Sequence, residues 1–140
     1  MKSLIISLFV ALISMQLIGC EKEQAVTQQI ENNVTQILTV PEHVVIKYGD
    51  GNILKLDDKM TIEKIINDLQ AMQYTKVNRP GGVGQIFTLE FSSDKEFSSQ
   101  GYLIYNKNIY KSTNQELISK LNTYLVDYGR NIIPELLPGV

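Results

Sequence analysis

The chain has one cysteine, Cys20, in 140 residues. A single thiol cannot close an intramolecular disulfide, so the fold must be held by packing rather than by covalent cross-links. The same cysteine ends the longest apolar stretch. Met1-Lys2-Ser3 supplies one positive charge, and Leu4 to Leu17 is then mostly apolar, interrupted by Ser7, Ser14 and Gln16. A basic start followed by an apolar run of this length reads as a secretory signal. A comfortable membrane span needs about 20 apolar residues. No later stretch of the chain is long and apolar enough to span.

The run closes on Leu17-Ile18-Gly19-Cys20. This tetrad resembles the lipobox of bacterial lipoproteins. The resemblance implies lipid attachment to the Cys20 sulfur, cleavage between Gly19 and Cys20, and a mature chain that begins at Cys20. It also implies a place of work, anchored to the cell membrane and facing outside the cytoplasm. One acyl chain holds a protein only marginally, at about 0.8 kcal/mol per buried CH₂, whereas two or more make a lasting anchor. Residues 1–19 are thus expected to be a removed signal peptide.

Residues 20–36 are expected to be a lipidated cysteine with a polar tether. Glu21 to Thr35 is rich in amides and charges and poor in core residues, as a linker is. Val26, Ile30, Val34 and Ile37 fall at near-helical spacing, but Thr27, Asn32, Asn33 and Thr35 are weak helix formers, which favours the tether. As a coil, about 18 residues reach roughly 25 Å on average.

Residues 37–140 are expected to form one domain, a size that supports a modest single core. The whole chain carries 13 basic and 15 acidic residues, a formal charge of −2. Losing Lys2 with the leader takes it to about −3. There is no basic run, so nucleic-acid binding has no electrostatic footprint.

His43 to Tyr48 is strand-like, Gly49-Asp50-Gly51-Asn52 is a turn, and Ile53 to Leu56 resumes an alternating strand, together a hairpin. Asp57 and Asp58 suit a helix N-terminus, and Ile62, Ile65, Ile66, Leu69 and Met72 recur at helical spacing. Tyr74 to Val77 is a candidate short strand, and Asn78 to Gly84 a loop. Gln85 to Phe91 alternates, with Phe87, Leu89 and Phe91 on one side and Thr88 and Glu90 on the other. Ser92 to Gly101 reads as a polar turn region. Tyr102–Tyr105 and Ile109–Lys111 read as strands about a tight turn at Asn106-Lys107-Asn108. Ser112 or Thr113 is the expected cap of a second helix, with an apolar stripe through Leu117, Ile118, Leu121, Tyr124, Leu125 and Tyr128 and Gly129 as its stop. The class expected is α+β: a two-layer sandwich, mainly an antiparallel sheet with two helices on one face. The other face, with Tyr48, Thr88 and Glu90, is expected to meet solvent. In this layout and its leader the chain resembles small Gram-positive lipoproteins of uncharacterised function.

Chemistry-bearing residues are sparse. His43 is the only histidine and has no cysteine beside it, so neither a metal set nor a nucleophile–base arrangement is announced. Gly49-Asp50-Gly51-Asn52 fails as a calcium loop, because Lys55 stands where glycine is required and Thr61 where glutamate is required. Arg79-Pro80-Gly81-Gly82-Val83-Gly84 fails as a phosphate cradle, because a strand follows it rather than a helix. As the longest glycine-rich loop it is nevertheless a candidate grip on a partner, through Arg79, Gly81, Gly82 and Gly84. Among seven tyrosines, Tyr102 and Tyr110 are singled out, because adjacent strands are expected to bring them together on one exposed face. The apolar tail from Ile132 is expected to pack on its own core, the alternative being a partner-binding segment.

These features imply no metal, cofactor or catalytic residue. The expected activity is that of a membrane-anchored binding or accessory module for a cell-envelope protein. A small surface inhibitor, immunity or exclusion lipoprotein is the alternative. A hydrolase using Glu90 or Asp94 is a third class, and it would need a concave pocket where polar groups converge.

Overall fold

The computed structural model describes residues 36–81 and 84–139. The expected signal peptide, Cys20, the expected tether up to Thr35, and Gly82 lie outside the described residues.

The elements follow the order β1 (Val44–Tyr48), β2 (Ile53–Leu56), α1 (Lys59–Gln70), β3 (Tyr74–Val77), β4 (Phe87–Ser92), β5 (Lys95–Ser98), β6 (Tyr102–Tyr105), β7 (Asn108–Ser112) and α2 (Gln115–Ile132). The strands form one sheet in the order β2-β1-β4-β5-β6-β7-β3, and every neighbouring pair is antiparallel. This is the expected α+β sandwich.

Local chemistry explains the elements. Asp58 caps α1, its carboxylate accepting from the Thr61 N–H at 2.8 Å. Ile62, Ile65, Ile66 and Leu69 then fall on one face and are buried. The cap of α2 is Asn114 rather than Ser112 or Thr113: its side chain accepts from the Leu117 N–H at 3.1 Å. Ser112 instead closes β7, its side chain buried opposite Tyr74. The β6–β7 turn places Asn106 and Lys107 at φ 47° and 65°. Two consecutive left-handed residues make the two-residue hairpin turn whose twist suits antiparallel strands.

Four further expectations need correction. Lys95–Ser98 is a strand within the segment read as turn. Its only apolar residue, Phe97, is fully buried, and pairing with β4 and β6 supplies what propensity does not. Tyr48 is not on the solvent face: it is 4% exposed, and its hydroxyl donates to the Leu125 carbonyl at 2.9 Å. Gly129 does not end α2, which runs three residues further. A Cβ there would collide with the Tyr48 hydroxyl and with Leu136, so glycine serves close packing rather than termination. Tyr102 and Tyr110 do not share a face, as detailed below.

The core lies between the helices and one face of the sheet. Across the strands the row Leu54–Ile46–Leu89–Phe97–Leu103–Tyr110 points into it. Leu38 closes it from the N-terminal side and is fully buried. There the Ile37 carbonyl accepts from Lys95 Nζ at 2.6 Å and the Leu38 carbonyl from Gln70 Nε2 at 2.7 Å. The tail packs on the same core, as expected: Leu136 and Leu137 are buried. The Asp50 carboxylate accepts from the Leu137 N–H at 2.7 Å, which holds that carboxyl below its ordinary range. Among the described residues no helix is long and apolar enough to cross a membrane.

The route of the chain positions the site. β2 and β3 are the two edges of the sheet. α1 and its connections carry the chain from one edge to the other on the core side. From β3 the chain must return to β4, beside β1. Since the core side is filled by helices, it returns over the opposite face.

Candidate functional site

The face opposite the helices is made of two rows of side chains. One row runs Ile53–Lys47–Thr88–Ser98 on the first four strands and Tyr102–Lys111–Thr75 on the last three. The loop from β3 to β4 crosses it. The Gly81 N–H donates to the Tyr102 hydroxyl at 2.8 Å, and the Ile86 N–H donates to Ser99 Oγ at 2.8 Å. The Gly49 N–H then donates to the Ile86 carbonyl at 2.8 Å. Gly49 has no room for a side chain, because a Cβ would strike the Gln85 carbonyl. Ser98 points to this face yet is buried, the mark of the loop passing over it.

The second row is open. It reads Lys55–Val45–Glu90–Glu96–Ile104–Ile109–Val77, one residue from each of the seven strands in sheet order. All but the edge residue Lys55 are half-buried. Val45, Glu90, Glu96 and Ile104 floor a cleft of about 690 Å³. Its walls come from His43, the Ser92-Ser93-Asp94 turn, Asn106 and Lys107.

The electrostatics of the floor are uneven. Glu90 and Glu96 are direct cross-strand partners. Lys47 Nζ lies 2.5 Å from the Glu90 carboxylate, while Glu96 has no ion pair among the described residues. Asp94 accepts from Ser92 Oγ at 2.6 Å. Lys95 also lines the cleft, but its ammonium reaches the Ile37 carbonyl and sits 5.7 Å from the Tyr105 ring centroid. The arrangement offers carboxylate acceptors set in aliphatic surface. Among the described residues no group of three or more His, Cys, Asp or Glu is placed to hold a metal ion.

The residues singled out from sequence are distributed as follows. Gly81 and Tyr102 are brought into contact by the hydrogen bond between them. Tyr102 is also capped by Lys111, whose Nζ lies 4.3 Å from the ring centroid while donating to the Gln100 carbonyl. Tyr110 is on the other side of the sheet. It is the cross-strand partner of Leu103, which is fully buried, and it packs on the core. The register pairs Tyr102 with Lys111 instead, and a shift of one residue sends a side chain to the opposite face. Arg79 and Gly84 are exposed on the crossing loop, Gly84 at φ 80°. His43, distant in the chain, lines one cleft with Glu90 and Asp94.

The residues missed are Glu96 and the aliphatic row Val45, Ile104, Ile109 and Val77. Glu96 was hidden because its strand read as a turn. The signal that finds it is Phe97, a lone large apolar residue in Lys-Glu-Phe-Ser between two turn clusters, with Glu96 necessarily on the opposite side.

Comparison of the chain with protein-family models, with curated proteins and with solved structures finds no match.

Proposed function

We propose that this protein is a membrane-anchored extracytoplasmic lipoprotein whose domain is a non-catalytic binding module for a cell-envelope protein. The observation that carries the binding reading is the open row of the sheet. Antiparallel sheets commonly leave one face to water, and such faces are then largely polar. Here four of seven residues in the row are Val or Ile: Val45 and Ile104 floor the cleft on either side of the acid pair, and Ile109 and Val77 continue beyond Ile104. Contiguous apolar surface with a polar rim is the usual composition of an interaction site.

The sheet edges are poorly suited to the same task. β2 carries Lys55 and β3 carries Lys76, which stands on the core-side row yet is exposed. Charged residues on edge strands discourage strand addition. The face, not the edge, is therefore the docking surface. The anchor reading is supported by the leader and by Leu17-Ile18-Gly19-Cys20.

The test is Cys20→Ser, with fractionation of cells and labelling by a radioactive fatty acid. Wild-type protein is expected in the membrane fraction carrying the label, and the variant in the soluble fraction or medium without it. Membrane association and labelling unchanged by the substitution would sink the anchor.

A further inference from the structure

We propose that the row Val45–Glu90–Glu96–Ile104 binds an extended segment of a partner protein carrying an arginine or lysine flanked at two residues on each side by aliphatic side chains. The proposal rests on the module reading above and names the chemistry of its partner.

The first argument is charge. Carboxylates directly opposite each other on adjacent strands repel, and Glu90 faces Glu96. Lys47 offsets Glu90 alone. Glu96 stays half-buried, opposite a like charge and without an ion pair among the described residues. A threonine or valine would suit that strand position better. An incoming cation lying between the two carboxylates removes the repulsion, and a guanidinium can bond to both.

The second argument is spacing. Neighbouring strands lie about 4.8 Å apart. Val45 precedes Glu90 by one strand and Ile104 follows Glu96 by one strand. The midpoint of the acid pair is therefore about one and a half strand spacings, roughly 7 Å, from each aliphatic residue. In an extended chain, residues i and i+2 share a side and lie roughly 6.7 Å apart. A segment crossing the strands in the order aliphatic–x–basic–x–aliphatic thus meets Val45, the acid pair and Ile104 in step. Ile109 and Val77 continue the aliphatic surface beyond Ile104.

The third argument is shape. The crossing loop, held to Tyr102 by Gly81, covers the neighbouring row, while the row proposed here remains a cleft of about 690 Å³. That volume suits a short segment rather than a folded surface. A second copy of this face fits poorly, since its floor is acidic. Lys107 stands on an exposed turn at the rim, where an acidic residue of the partner would meet it.

The probe is a random heptapeptide display library, selected on the full chain solubilised in detergent and immobilised. The expected enrichment is Arg or Lys with Ile, Leu or Val two residues to either side. A selected peptide is expected to bind the isosteric double variant Glu90→Gln/Glu96→Gln at least tenfold more weakly, and to weaken with salt. Enrichment without a basic residue, no enrichment, or equal affinity for the double variant would overturn the proposal. A photo-crosslinking residue at Ile109 of the anchored protein in cells separates this from the module reading. An adduct with an envelope protein that forms equally in the double variant leaves the module standing and removes the basic segment. Absence of any adduct from Val45, Ile104 or Ile109 removes the module itself.

Discussion

Tyr48 shows how one buried hydroxyl ties stability to pH. It is 4% exposed and donates to the Leu125 carbonyl, joining β1 to α2. Burial first, then the proximity of Tyr128 and Asp50, pushes its pKa up from 10.0 to about 12. A raised folded value favours the neutral form. The contribution is therefore whole below pH 10 and is lost as pH rises from about 10 to about 12, amounting to about 2–3 kcal/mol. Tyr48→Phe removes the hydrogen bond, at about 1 kcal/mol, but removes the titration too. In urea unfolding followed from pH 8 to 12, the variant is expected to be less stable at the low end and to overtake the wild type near the high end. Parallel curves would show that Tyr48 does not titrate on unfolding. Glu96 makes the opposite case, a charge that weakens the sheet. Glu96→Gln removes the repulsion from Glu90 and is expected to raise stability by a few tenths of a kcal/mol, discounted for partial exposure. A loss of stability measured by the same method would mean that Glu96 is already compensated within the domain.

At the scale of elements, Gly129 gives the sharpest prediction. Glycine to alanine inside a helix ordinarily stabilises by about 1 kcal/mol. Here the added methyl would run into the Tyr48 hydroxyl and Leu136, in a region where β1, α2 and the tail meet. Gly129→Ala is expected to destabilise by about 1–3 kcal/mol through overpacking, seen as a lower urea midpoint. The same region shows why the second helix was legible only in part. Its apolar stripe was plain from the spacing of Ile118, Leu121 and Leu125, but its stop was misread, because Gly129 carries a signal for termination and for close packing alike. The first helix was read closely, since Asp58 as cap and Ile62, Ile65, Ile66 and Leu69 as buried face are local facts. β5 was not, since Lys95–Ser98 becomes a strand through partners distant in sequence. The misplacement of Tyr110 has the same origin. Which tyrosines share a face depends on register across β6 and β7, and register is set by Leu103 and Tyr110 packing on the core. The candidate site suffered most: Glu90 was visible as an outward residue, but its pairing with Glu96 needs the whole sheet.

At the scale of the molecule, the proposed anchor and the proposed docking row lie in a definite relation. The chain reaches the domain at Ile37 and Leu38, where the Ile37 carbonyl is bonded to Lys95 at the start of β5. His43, the Ser92–Asp94 turn and Lys107 wall the cleft at that same end of the sheet. The cleft therefore opens near the point where the described chain begins, at Ile37 and Leu38. The tether expected from the sequence, taken as a coil, would reach roughly 25 Å, so the proposed anchor would present the cleft to segments close to the membrane surface. Anchoring then acts through effective concentration, which falls roughly as the −3/2 power of leash length once the span is exceeded. Doubling the leash with a Gly/Ser insertion after Gln24 is expected to reduce crosslinking from Ile109 to a membrane-held partner about threefold. The domain and its peptide affinity should be unchanged by this insertion, because it falls well before Leu38, the first fully buried residue among those described. A fall many times larger would mean that residues of the leash themselves touch the partner. An undiminished yield would place the partner away from the membrane surface, and the anchor would then set the protein's address without setting the strength of its encounter.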